Sequence, residues 1–100
     1  MTKFSTMSIT KSSKPNKKYQ AVFLRDNGRT KTTHFGQKNA DDYTKTKDKE
    51  QRKRYRTRHK KDLLTKDPTR AGHLAFHILW GDSTSIRENI KSYKKRFNFN

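Results

Sequence analysis

The chain has no cysteine, two prolines, four glycines and only nine acidic residues among its 100. Lack of cysteine excludes disulfides and thiolate metal sites, so a small core has no covalent staple. Nine Asp and Glu cannot neutralise 26 Lys and Arg, and a formal charge of +17 is left to face solvent or a partner. No apolar run approaches the roughly 20 residues of a membrane span, and Met1 to Lys18 lacks the apolar stretch of a secretory signal. A reducing compartment and no secretion are therefore expected.

What is present is 27% hydrophobic and 35% charged, which allows one domain with a thin core. Such a balance approaches that of disordered chains, so at least one segment is expected to stay unfolded without a partner. Four Tyr, six Phe and one Trp argue against full disorder, because aromatic rings bury much area per residue. The unbalanced positive field favours phosphate backbones, anionic membrane surfaces or acidic proteins and speeds encounter with them. Nucleic acid, with DNA first, is the leading expectation. No cofactor is expected.

The predicted fold class is α+β: a flexible N-terminal arm, one β-hairpin and about three α-helices. Residues 1–17 read as a flexible basic arm with isolated Phe4, Met7 and Ile9, punctuated by Pro15 and Asn16. Residues 18–97 read as a single small domain and residues 98–100 as a tail. Tyr19 to Leu24 and Thr30 to Gly36 are β-rich segments around Asn27-Gly28, a pair tolerant of positive φ, and this predicts a hairpin. Tyr19, Ala21 and Phe23 fall on one face, Val22 and Leu24 on the other. A short helical turn is expected over Ala40 to Thr44.

A long helix is expected from Thr46 or Asp48 to Asp67-Pro68, with Tyr55, His59 and Leu63 as a narrow inward stripe. Thr69 is expected to cap a second helix, Arg70 to Trp80, which holds the core residues Leu74, Ile78 and Leu79. Gly81 stops it. Ser85 with Glu88 reads as a capping box that opens a last helix, docked through Ile86, Ile90, Tyr93 and Phe97.

The strongest functional feature lies between Lys45 and Lys61, where ten Lys or Arg meet two acids. Such a helix can follow a phosphate track, and neutralising ~6–10 phosphates makes binding fall steeply with salt. The candidate nucleic-acid contacts are Lys45, Lys47, Lys49, Arg52, Lys53, Arg54, Arg56, Arg58, Lys60 and Lys61, supported by Lys91, Lys94, Lys95 and Arg96. Contact is expected to be phosphate-dominated and sequence-nonspecific, since no zinc-finger, RNA-recognition or helix-turn-helix pattern is matched. Base contact by Arg52, Arg56 or the hairpin loop around Arg25 and Arg29 is a further option. Replacing Arg52, Arg54, Arg56 and Arg58 by Gln is expected to spare the fold and weaken duplex binding.

His73 and His77 share a helix face at i and i+4, a spacing that suits zinc, yet nothing local supplies two more ligands; packing is the preferred reading. Asp41 and Asp42 read as helix N-terminal charge or as partners for Arg. There is no Gly-rich phosphate loop or nucleophile elbow, so no enzymatic activity is expected.

His34-Phe35-Gly36, Asp42-Tyr43-Thr44 and Lys47-Asp48-Lys49-Glu50, with Tyr55 and Arg58-His59, resemble a family of small basic proteins of unknown function encoded by large nucleocytoplasmic DNA viruses. The likeness continues through Ala71-Gly72, Ile78-Leu79-Trp80, Ile90 and Lys94-Lys95-Arg96-Phe97, spanning residues 18 to 97. The resemblance implies a virus-encoded protein carried in the virion or in the host cytoplasm at the viral factory. It suggests two roles: organising viral nucleic acid, or acting as a minor capsid protein that cements acidic capsid subunits or links the shell to an internal membrane.

Overall fold

The computed structural model describes residues 4–25 and 28–100. Three antiparallel strands, β1 (Phe4–Lys11), β2 (Lys17–Arg25) and β3 (Thr30–Gln37), form one sheet in the order β1-β2-β3. The helices are α1 (Tyr43–Thr46), α2 (Lys49–His59) with a 3-10 extension over Lys60–Thr65, α3 (Ala71–Leu74) with a π-helical extension over Ala75–Leu79, and α4 (Ile86–Phe97). The class is α+β, as expected.

The sequence reading of an N-terminal arm is corrected here, because residues 4–11 are a sheet strand. Met7 and Ile9 are two residues apart, so both point to one face of a strand. They sit opposite Phe23 and Ala21 of β2, and Met7 is fully buried. Of the remaining arm, Met1 to Lys3 lie outside the described residues. Ser12 to Asn16 form the turn into β2, with Lys17 N–H donating to the Lys14 carbonyl at 3.2 Å.

Residues 98–100 are likewise no free tail. Asn98 adopts the left-handed conformation (φ 60°) that ends α4, and Phe99 turns back to lie 5.4 Å from the Phe23 ring. Asn100 then pairs with β1: Met7 N–H donates to its carbonyl at 3.1 Å and its own N–H donates to Ser5 at 2.9 Å. Two backbone groups on the edge of β1, the Ser5 carbonyl and the Met7 N–H, are thus satisfied by Asn100 rather than left open to another chain.

The predicted hairpin is β2 and β3. Arg25 N–H donates to the Arg29 carbonyl at 2.8 Å across the turn, and Gly28 takes φ +84°, the left-handed region that glycine enters without steric cost. Asn27, the other half of the turn signal, lies outside the described residues. The inner face of the sheet buries Met7, Ala21, Phe23 and Phe35 against Leu74, Ile78 and Leu79. On the outer face three cross-strand rows stand in register: Thr6–Leu24–Thr30, Ser8–Val22–Thr32 and Thr10–Gln20–His34.

The helices depart from the periodicity in two places. The long basic helix is shorter than expected, tightening after His59 and ending at Lys66, which takes the left-handed conformation (φ 53°). Thr69 does not cap α3. Its hydroxyl donates instead to Asp67 at 2.6 Å and accepts from Lys31, while Thr33 donates to its carbonyl, so it ties the loop to β3. Arg70 occupies the N-cap position without a side-chain bond. Ser85 does cap α4, accepting from Glu88 N–H at 3.3 Å, and Tyr93 on that helix donates to the Pro68 carbonyl from a buried position.

Candidate nucleic-acid interface

Helix α2 is held by Asp48, whose carboxylate accepts from Glu50 and Gln51 N–H at the N-terminus, where negative charge meets the positive end of the macrodipole. Its eleven residues contain no fully buried side chain. At about 100° per residue, Gln51, Arg52, Tyr55, Arg56 and His59 share one half of the helix and Lys49, Glu50, Lys53, Arg54, Thr57 and Arg58 the other. Burial follows this split: the first group is half-buried and the second exposed.

Tyr55 is the inward anchor. Its ring lies 4.4 Å from Trp80 at 9° and 4.1 Å from His59 at 20°, so three rings stack. Burial, with Asp62 nearby, pushes its hydroxyl up to about 12. Trp80 and Phe76 are buried packing residues.

Arg52 and Arg56, which the sequence reading counts with the open basic face, are half-buried and tied to backbone carbonyls. Arg52 donates through Nε to the Gly81 carbonyl at 2.7 Å and pairs with Asp82 at 2.8 Å. Arg56 donates to the Trp80 carbonyl at 2.8 Å and lies 4.3 Å over the Phe76 ring. Both meet the end of the helical segment begun by α3, where carbonyls lack intrahelical donors and the dipole is negative. Burial and the neighbouring Arg52 hold the Arg56 guanidinium below its ordinary value. Gly81 is required at this junction, because a Cβ there would stand 2.1 Å from the His77 carbonyl oxygen.

The other candidates are distributed unevenly. Lys49, Lys53, Arg54, Arg58, Lys60 and Lys61 are exposed and, among the described residues, in no ion pair. Lys47 is exposed in a left-handed turn (φ 58°), and Lys45 is paired loosely with Asp41 at 3.5 Å. On α4, Lys91 and Lys95 are exposed and Lys94 is half-buried. Arg96 faces α2 across a groove of about 460 Å³ that Arg52, Lys53, Arg56 and Lys60 also line, over a floor of Leu63, Phe76 and His77. No carboxylate lines this groove. His77 is pushed down to about 4 by burial and by Arg96 and Arg56, so it is neutral at physiological pH.

Helical periodicity applied to charges as well as apolar residues separates Arg52 and Arg56 from Arg54 and Arg58. The approach of Arg96 to Arg56 has no sequence signal, because it depends on how α4 crosses α2.

The remaining polar candidates are spent locally. Asp42 caps α1 and pairs with Lys18 at 2.5 Å, and Asp41 pairs with Lys45, so both partners are lysines rather than arginines. The histidines are scattered: His34 bonds Ser12, His59 bonds Asp62, and His73 bonds Thr65 at 3.3 Å. His77 packs edge-on to Phe76 and Phe97. Among the described residues no three His, Asp or Glu cluster as a metal site requires.

A model of the family described as a family of unknown function, DUF5754, matches residues 7–59, which run from β1 to the last residue of α2. No curated protein and no solved structure matches.

Proposed function

The chain belongs to the DUF5754 family of unknown function, and we propose that it is a non-enzymatic protein that binds nucleic acid through phosphate contacts without reading sequence. The supporting observation is one continuous, predominantly basic surface: the outward half of α2, where Lys49, Lys53, Arg54 and Arg58 surround Glu50, its 3-10 extension, where Lys60 and Lys61 precede Asp62, and the groove shared with Arg96, whose lining holds no carboxylate. The exposed cations attract the backbone over a Debye length, about 8 Å at physiological ionic strength. Arg56 presents its remaining N–H donors from a fixed position, because one end is tied to Trp80. A preset planar fork loses less freedom on meeting a phosphate than a loose lysine does. The virus-particle setting implied by the resemblance belongs to the same proposal, with the protein coating or condensing the genome.

The test is binding of the purified chain to a fluorescent duplex and to an unrelated single strand across salt, with heparin as competitor. Affinity that falls steeply with salt, and that added duplex competes away better than heparin, is the expected result. Weak binding, or binding that heparin removes as well as duplex, overturns the reading in favour of acidic capsid partners.

A further inference from the structure

Charge is absent from three successive cross-strand rows on the outer face of the sheet. The nine positions of its three cross-strand rows carry no Lys, Arg, Asp or Glu, although 35% of the chain is charged, a share at which about three would be expected. None of the nine is buried. A sheet face that only meets water has no reason to avoid lysine in so lysine-rich a chain; antiparallel sheets ordinarily solvate such a face with charged and polar side chains. Here the middle strand instead puts Val22 and Leu24 at the centre, Leu24 being 39% exposed, with Ser and Thr hydroxyls from both neighbouring strands around them.

We infer that the outer sheet face docks a second copy of the same chain, face to face. The charge pattern selects that occupant. An acidic partner is drawn to the α2 surface and gains nothing from a face without cations. Two copies of charge +17 repel wherever lysines meet lysines, and an uncharged face lets them touch without that penalty. Edge-to-edge pairing through β1 is hindered at Ser5 and Met7, whose outward backbone groups are already bonded to Asn100. Two sheets stacked on a twofold axis give a self-complementary interface of the usual aligned kind, with Val22 near the axis. Nine side chains per copy fall short of the roughly 800 Å² per partner of a standard stable interface. The dimer is therefore weak, and forms where copies are concentrated.

This inference is independent of the nucleic-acid reading, and salt separates the two. Sedimentation velocity of the full chain, without nucleic acid, is run across protein concentrations at low salt and at about 1 M salt, where the Debye length falls to about 3 Å. Dimer that grows with salt is expected, the opposite sign to phosphate binding. Val22→Lys places two ammonium groups together at the centre and is expected to leave a monomer at every salt, with an unchanged circular-dichroism melting midpoint because the side chain is on the outer face. Val22→Thr keeps the face neutral and retains the dimer. Three results overturn the inference: a monomer under all conditions, a dimer that Val22→Lys leaves intact, or equal loss in both variants.

Discussion

Arg56 reaches from α2 to the backbone carbonyl of Trp80 at 2.8 Å, joining the basic helix to the end of the core helix. Its charge therefore serves the fold first. Replacing Arg56 with Gln removes a charged hydrogen bond and the contact over Phe76, and is expected to cost about 1–3 kcal/mol of stability. Urea titration measures it; a midpoint equal to that of the parent chain would show that the contact contributes nothing.

The outward residues behave differently. Changing Lys49, Lys53, Arg54 and Arg58 together to Gln leaves the urea midpoint within experimental scatter, since all four are exposed and, among the described residues, in no ion pair. Duplex affinity drops for every sequence, and the slope of log affinity against log salt becomes shallower by about 3–4, one phosphate per lost cation. The same slope as the parent would place the phosphate contacts elsewhere.

Acid stability reports on His77. Its folded-state value is about 4 against an ordinary 6.5, so the unfolded chain takes up a proton at this ring first as pH falls. Stability is fully present above about pH 6.5 and is lost as pH falls towards 4. For a half-exposed ring, allowing for solvent screening, the loss is about 1–2 kcal/mol. His73, also pushed down by burial, contributes with the same sign. His77→Phe keeps a ring against Phe76 and Phe97 and should flatten this limb of the pH profile; a profile parallel to that of the parent would exclude His77 as its source.

Phe99 links the end of the chain to the sheet. It is 9% exposed and packs on Phe23 and Tyr93. Phe99→Ala is expected to cost about 3 kcal/mol or more, and hydrogen exchange at the Met7 amide, which bonds Asn100, should speed up. Unchanged protection at Met7 would mean that the terminal pairing holds without Phe99.

The β2–β3 hairpin, the core helix and the docking stripe of α4 were legible in the sequence, because each repeats apolar residues at the period of its own element. The strand β1 was not. Its Met7 and Ile9 alternate as a strand requires, but Ser and Thr around them match a disordered arm equally well, and only β2 supplies the hydrogen-bond partners that decide it. The tail was missed for the same reason: Phe99 has no local periodicity, and its burial depends on Phe23, far away in the chain.

The sequence alone determined the sign and density of the charge, the absence of any thiol chemistry and the α+β class, since these follow from composition and local pattern. Tertiary structure decided which cations are available. Lys53 and Arg54 differ little from Arg52 and Arg56 as letters in a basic run. Once Tyr55 stacks on Trp80, the rotation of α2 is set; Arg52 and Arg56 are turned onto unpaired carbonyls of the core helix, and their neighbours are turned to solvent.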